Sequence, residues 1–125
     1  MSKEITVAGR LSFDDGKTSV TFNKGVAEID STGKQVVHHV QSIGNSADEA
    51  LVIGDVTTGG TNLGWAMFYN RDPTNFVVIT HGDNASAFLK LKAGEVAGPM
   101  RLGTNTPFAL ADTAAVELEY LIIEE

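Results

Sequence analysis

The chain has no cysteine, which excludes thiolate nucleophiles, zinc ribbons and disulfide frameworks and suits a protein that matures in a reducing cytoplasm. Basic residues are also few, because nine Lys and Arg stand against 16 Asp and Glu, for a formal net charge of −7. Such a surface repels phosphate backbones, so nucleic acid is not expected as a partner. No apolar run approaches the length of a membrane span and no secretory signal is visible, so a membrane is not expected either.

The chain is rich in apolar residues that alternate with polar ones. Ile5, Val7, Leu11 and Phe13 share one side of an extended segment, and a turn-forming run at 14–17 leads into a second alternating segment. Similar turn signals delimit about nine to eleven short strands along the chain, a pattern typical of sandwiches and barrels. We therefore predict an all-β fold, an antiparallel β-sandwich or jelly roll, with residues 1–125 in a single domain.

Residues 63–91 contain strand-like runs that are apolar on both sides. Trp65, Met67 and Tyr69 alternate with Ala66 and Phe68 in the first of them. Strands of this kind belong in the middle of a sheet that is covered on both faces, by a second sheet or by another subunit. The residues predicted to be largely buried are Trp65, Phe68, Phe76, Val78, Leu89, Leu118 and Tyr120.

The C-terminal segment 109–123 is open to two interpretations. It contains good helix formers, and Thr106-Pro107 is a common way to start a helix. The run Tyr-Leu-Ile-Ile instead favours a strand, as does the period-2 alternation. We predict a strand whose inward face carries four residues, namely Val116, Leu118, Tyr120 and Ile122.

This strand assignment places Leu121 and Ile123 on the outward face. Exposed aliphatic residues on an outer or terminal strand promote aggregation unless a partner covers them. We therefore predict that Leu121 and Ile123 lie in a subunit interface and that the protein self-associates.

No group of residues has the spacing of a catalytic or metal site. His38 and His39 are adjacent in a predicted strand and so point to opposite faces, where one metal cannot easily bind both. Glu117 and Glu119 share a strand face, but a glycosidase pair normally comes from different elements across a cleft. No Gly-x-Ser-x-Gly motif or phosphate-binding loop is present. We predict no catalytic residue, no metal ligand, no cofactor and no enzymatic activity.

Three segments resemble small virion proteins of tailed bacteriophages. Residues 68–77 read Phe-Tyr-Asn-Arg-Asp-Pro-Thr-Asn-Phe-Val and are similar to a pattern found there, aromatic, Asn-x-Asp-x-Thr-Asn, aromatic. Residues 91–95 and 115–122 are similar to stretches that follow this pattern in those proteins. The resemblance covers about the C-terminal half of the chain, and its motifs are turns and strands.

The resemblance implies a β-sandwich or jelly-roll subunit built into the virion, in particular a capsid decoration (cement) protein. Such a protein would bind and stabilise the lattice of the major capsid protein and self-associate as a homotrimer. It would be made in the host cytoplasm and reside on the capsid surface. The resemblance implies no binding residues, because the matching motifs have no assigned function.

Two other functions remain open on the sequence. A carbohydrate- or receptor-binding β-sandwich module of a phage tail or fibre is favoured if Trp65 and Tyr69 form an exposed aromatic platform, although aromatics in an alternating apolar run are more often core. A small β-barrel enzyme is favoured only if His38, His39 or His81 gather with acids around a metal.

Overall fold

The computed structural model describes residues 4–29, 35–54, 56, 63–80, 82, 86–102 and 106–124. These residues form ten β-strands and no helix, so the prediction of an all-β fold is confirmed. None of them forms a helix that could cross a membrane. The strands are β1 (Ile5–Asp14), β2 (Ser19–Ile29), β3 (Val36–Ile43), β4 (Glu49–Ala50), β5 (Leu63–Asn70), β6 (Val77–Thr80), β7 (Ala87–Leu91), β8 (Val96–Arg101), β9 (Phe108–Ala111) and β10 (Val116–Glu124).

The chain divides into two compact units, residues 1–32 and 33–125. The first is a two-stranded antiparallel ribbon of β1 and β2, in which Ile5 pairs with Ile29 at one end and Asp14 with Ser19 at the other. A bulge opposite Gly9 and Arg10 adds one residue to β2, Lys24. The assignment of residues 1–125 to a single domain remains a prediction.

The turn of the ribbon is built by the acidic residues that the sequence places there. Asp14 Oδ1 accepts a hydrogen bond from the Gly16 amide, and Asp15 Oδ1 accepts from the amides of Lys17 and Thr18. Hydrogen bonds from the Thr18 and Lys17 amides lower the pKa of Asp15 below its usual value. Gly16 takes a φ of 89°, a left-handed conformation that glycine adopts at little cost. These contacts are those of a hairpin turn with side-chain-capped amides.

The second unit contains two four-stranded antiparallel sheets. One has the order β3-β10-β5-β8 and is called here the β10 sheet, and the other has the order β4-β9-β6-β7 and is called the β6 sheet. Successive strands pass from one sheet to the other except at the β6–β7 hairpin. This order of eight strands is that of a jelly roll. The predicted sandwich or jelly roll is therefore confirmed for this unit.

The C-terminal segment is extended, as predicted, and is broken only by a turn at 112–115. β10 lies inside its sheet, with β3 on one side and β5 on the other. Its four inward side chains are at most 1% exposed, as the alternation predicts. The core between the sheets consists of Ile43, Leu51, Ile53, Val56, Ala66, Phe68, Val77, Ile79, Leu91, Ala109, Ala111, Val116, Leu118, Tyr120 and Ile122.

Within one chain, only one face of β5 is covered in the described part of the molecule, so the predicted cover of its other face by another subunit stays a prediction. Ala66 and Phe68 are buried, but Met67 and Tyr69 on the opposite side are 39% and 40% exposed. A sandwich covers each of its sheets only on the inner face, so the outward residues of a central strand stay accessible.

Three of the seven residues predicted for the core are buried, namely Phe68, Leu118 and Tyr120. The other four predicted core residues are half-buried, because each sits on an outward face or at the edge of the core: Trp65, Phe76, Val78 and Leu89.

Candidate association surfaces

The ribbon carries an exposed apolar surface along one side. In the register of β1 and β2, Leu11 pairs with Phe22 and Phe13 pairs with Val20, so the four side chains lie on one face. They are 54–75% exposed. We call these four residues the ribbon face. The opposite side is mostly polar, as in the pair Ser12 and Thr21.

The ribbon face is exposed in spite of its apolar composition. A two-stranded ribbon alone is marginally stable in water, and large exposed apolar patches on soluble proteins usually mark sites of association. Lys24 lies at the margin of this face, with its ammonium 5.0 Å from the centre of the Phe22 ring. Two aromatic rings and the Lys24 ammonium therefore lie together at the ribbon face.

A second apolar surface lies on the outer side of the β10 sheet. The register pairs Leu121 with Met67 and Glu119 with Tyr69, so these side chains share the outward side. Val36 and Val40 of β3 and Val96 of β8 extend the same side across the four strands. We call the exposed apolar residues of this side the outer sheet face: Val36, Val40, Met67, Tyr69, Val96 and Leu121.

The two residues predicted for an interface, Leu121 and Ile123, belong to this side of the sheet. Leu121 lies near the middle of the outer sheet face and is 37% exposed. Ile123 pairs with Val36 near the end of β10 and is half-buried. Their outward orientation follows from the inward orientation of Leu118, Tyr120 and Ile122, whereas their role in an interface stays a prediction.

Charged residues accompany the outer sheet face. His38 Nε2 lies 2.7 Å from Glu119 Oε2, and Arg71 Nε lies 4.0 Å from Glu119 Oε1. Glu117, on the same side of β10, is exposed. The side chain of His38 is 63% exposed.

The histidines do not assemble a metal site in the described part of the chain. His39 points to the side of the sheet opposite His38, and its ring meets that of Tyr120 edge-on, with centroids 6.0 Å apart. Among the described residues, no three His, Asp or Glu side chains come close enough together to hold a metal ion. His81 lies outside the described residues.

Trp65 and Tyr69 do not form an open stacking platform. Trp65 is half-buried, and its indole nitrogen is buried without a hydrogen-bond partner among the described residues. The guanidinium of Arg101 lies 5.4 Å from the centre of the indole ring. Part of the ring face that a sugar would contact is therefore occupied by the protein's own cation.

The segment that carries the phage-like pattern is a structural turn. Asp72 Oδ2 accepts hydrogen bonds from the amides of Thr74 and Asn75, and Asn70 Oδ1 accepts from the amide of Asp72. Asn70 itself is wholly buried. The Asn and Asp at the start of the Asn-x-Asp-x-Thr-Asn pattern thus bind backbone amides in a tight turn.

A shallow cavity of about 440 Å³ lies beside the β6 sheet, between Val78, Leu110 and residues 46–48. Among the described lining residues Asp48 is the only ionisable group.

Comparisons with known proteins found no family model that matches the chain, and no curated protein or solved structure with significant similarity to it.

Sequence reasoning found one of the two surfaces. The alternation in β10 identified Leu121, because its neighbours were assigned to the core. The ribbon face was missed, although the signal was present: two alternating segments of about ten residues joined by a short turn predict a long two-stranded ribbon. The alternation alone does not distinguish a ribbon face that packs on its own core from one that stays exposed.

Proposed function

We propose that the protein is a non-enzymatic structural subunit of a bacteriophage virion, a decoration (cement) protein that binds the major capsid protein lattice and stabilises it. The observation that carries the proposal is the pair of exposed apolar surfaces on an otherwise acidic protein. A subunit of a large assembly needs surfaces that lose water when it contacts the lattice or further copies of itself, whereas an enzyme needs a concave site with convergent polar groups.

The fold and the sequence support this proposal from separate directions. Jelly rolls recur in viral capsid proteins, but also in lectins and cupins, so the fold alone does not choose among the three. The turn motif at 70–75 resembles that of small virion proteins. The described residues also contain no set of ligands like that of a cupin.

A carbohydrate- or receptor-binding module of a tail or fibre is the second candidate. Tyr69 is 40% exposed on the outer sheet face and offers one aromatic ring to a sugar. The half-buried position of Trp65 and the cation over its ring weaken this candidate, because sugar-binding platforms depend on open ring faces.

The experiment is to mix the purified protein with capsids that lack decoration, assembled from the major capsid protein encoded in the same genome. We expect binding that saturates at a fixed number of copies per capsid and an increase in the temperature at which the capsid ruptures. Leu121→Asp tests the outer sheet face in the same assay, and Phe88→Asp is the matched control, because Phe88 is 73% exposed but lies on neither surface.

The alternatives give different results. Binding to a glycan array without binding to capsids would contradict the decoration function and favour the carbohydrate-binding module. Binding to neither would contradict both functions and leave the fold as the only established property.

A further inference from the structure

We propose that copies of this chain associate by packing the ribbon face of one copy on the outer sheet face of the next. This inference deepens the proposed function and rests on it for the self-association that it explains. The occupant of the ribbon face is thus a second copy of the chain, and the contact is heterologous, because it joins two different surfaces.

The distribution of exposed apolar side chains is the first argument. The described residues include thirteen large hydrophobic side chains that are exposed. Ten of them belong to the ribbon face or to the outer sheet face, and the other three are Val26, Val52 and Phe88. Two concentrated patches on one chain, with little apolar exposure outside them, fit two halves of one contact better than two unrelated features.

Charge complementarity is the second argument, and it favours the heterologous contact. Lys24 borders the ribbon face, whereas Glu117 and Glu119 belong to the side of the sheet that carries the outer sheet face. A contact between two ribbon faces would bring Lys24 near its own copy, and a contact between two outer sheet faces would bring Glu117 near its own copy. The heterologous contact instead places Lys24 of one copy near the glutamates of the other, of which Glu119 already lies beside His38 and Arg71 of its own chain.

The charges of the whole units agree with those of the two surfaces. Residues 1–32 contain four Lys or Arg and five Asp or Glu, and residues 33–125 contain five and eleven. Two copies of the second unit repel each other, whereas the first unit is close to neutral. Electrostatic repulsion is therefore weaker between the second unit of one copy and the ribbon of another than between two second units.

The available area is the third argument. A fully exposed aromatic ring offers roughly 150–250 Å². With Phe13 and Phe22 both nearly 60% exposed, the ribbon face presents roughly 400 Å² of apolar surface, and the six residues of the outer sheet face present a similar amount. Because roughly 40% of a typical interface is polar, the contact would bury more than about 1,000 Å² in total, the size that a specific interface requires.

A heterologous contact has a consequence for assembly. Each copy offers one ribbon face and one outer sheet face, so copies join head to tail and form a ring when the rotation between neighbours closes. A closed ring of three is the homotrimer that the phage resemblance implies.

The test uses two variants that each remove one half of the contact, Leu11→Asp on the ribbon face and Leu121→Asp on the outer sheet face. We expect wild-type protein to sediment as an oligomer at tens of micromolar and each variant to sediment as a 13.2 kDa monomer. Mixing the two variants should restore association, but only to a heterodimer. The intact ribbon of the Leu121→Asp chain can bind the intact outer sheet face of the Leu11→Asp chain, and the remaining pair of surfaces is blocked.

Matched controls separate this result from misfolding. Thr21→Asp adds the same charge to the polar side of the ribbon, and Phe88→Asp adds it at an exposed apolar site outside both surfaces, so both variants should remain oligomeric.

Lys24→Glu and Glu117→Lys form a second pair of variants, which tests the charges and keeps the apolar residues of both surfaces. Each should weaken association roughly three- to tenfold, and both changes in one chain should restore it.

Each other result overturns the proposed contact. If only Leu11→Asp dissociates the oligomer, the ribbons bind each other, and if only Leu121→Asp does, the sheets bind each other. Two folded monomeric variants that do not complement each other would also reject the heterologous pairing. If wild-type protein is monomeric and both variants lose capsid binding, the surfaces bind the capsid instead. Complementation without capsid binding would support the contact and reject the decoration function.

Discussion

The buried carboxamide of Asn70 donates a hydrogen bond to the carbonyl oxygen of Leu91, 3.0 Å away, and so joins the two sheets of the jelly roll. Asn70 ends β5 in the β10 sheet, and Leu91 ends β7 in the β6 sheet. The same carboxamide donates to the carbonyl of Asn75 at 2.9 Å and accepts from the amide of Asp72 at 2.8 Å. Every polar atom of this buried side chain therefore has a partner, as stability requires.

Replacing Asn70 should destabilise the fold more than its size suggests. Asn70→Leu removes the donor to the carbonyl groups of Leu91 and Asn75 and the acceptor of the Asp72 amide, which should lower the free energy of unfolding by about 2–4 kcal/mol. The measurement is chemical denaturation at neutral pH. Asn75→Asp is the control, because the Asn75 side chain accepts a hydrogen bond from Thr113 and a carboxylate keeps that role.

The variant Asn70→Asp adds a pH dependence with a definite sign. Burial against two carbonyl oxygens raises the pKa of the new carboxyl in the folded state above its unfolded value of about 3.9. Its neutral form is favoured in the folded state, so stability is retained below about pH 3.9 and lost as the pH rises above it. The deficit relative to wild type should be larger at pH 7 than at pH 4, and an equal deficit at both would contradict the burial of this site.

Tyr120 should make the protein sensitive to alkali. Burial raises the pKa of Tyr120 to about 12 from an ordinary value of 10.0, and its hydroxyl lies 2.7 Å from the Val52 carbonyl oxygen, to which it donates. The folded state therefore holds this proton more tightly, and the stability it contributes is complete below about pH 10 and lost towards about pH 12. Denaturation measured from about pH 9 to 11 should show this loss in wild type.

The Tyr120→Phe variant is the reference for that experiment, because it lacks the titrating group. The chain has two tyrosines, so Tyr69→Phe leaves Tyr120 as the only phenol and allows its ionisation to be followed by absorbance. Titration of Tyr120 at its ordinary pKa, with no difference in alkaline stability from Tyr120→Phe, would show that the hydroxyl is solvated.

Gly98 should tolerate no side chain. Its φ is +104°, and an added Cβ would lie 2.8 Å from the Ala66 carbonyl oxygen and 3.2 Å from Met67 Cα on the neighbouring strand. Gly98→Ala should therefore cost at least about 2 kcal/mol in the free energy of unfolding. Gly44→Ala is the control in the same unit, since its nearest contact would be an ordinary 3.5 Å to Glu49 Oε2. Equal stability of the two variants would contradict the close approach of β8 to β5.

The two phenylalanines predicted for the core should differ when truncated. Phe68 is 1% exposed, so Phe68→Ala should cost about 3–5 kcal/mol. Phe76 is half-buried and lies under Lys90, whose ammonium is 4.2 Å from the ring centre. Phe76→Ala should cost roughly 1–2 kcal/mol by denaturation. Losses of the same size would show that Phe76 is packed as fully as Phe68.

The strands and the inner face of the core could be predicted from the sequence, because a period of two is a local property. The inward set of Leu118, Tyr120 and Ile122 and the outward Leu121 followed directly from it. The strand order could not be predicted, since the pairing of β10 with β3 joins segments about 80 residues apart and depends on packing across the whole unit. Sandwich and jelly roll therefore stayed as alternatives.

The association surfaces could be predicted only in part, for a related reason. The outward face of β5 is as apolar in sequence as its inward face, so Trp65 and Phe68 were both assigned to the core. Burial of the outward residues of a strand depends on what packs against that face of the sheet, and a local sequence pattern does not predict this. The exposure of the ribbon face could not be predicted for the same reason, because Leu11 and Phe13 alternate in the way that core residues do.

The most direct test of the central claim, that the exposed apolar surfaces serve association, is sedimentation velocity of wild-type protein over a range of concentrations. We predict an oligomer at tens of micromolar that dissociates towards the 13.2 kDa monomer on dilution, and a Leu121→Asp variant that stays monomeric while folded. A wild-type protein that remains monomeric at every concentration would contradict the claim that these surfaces join copies of the chain.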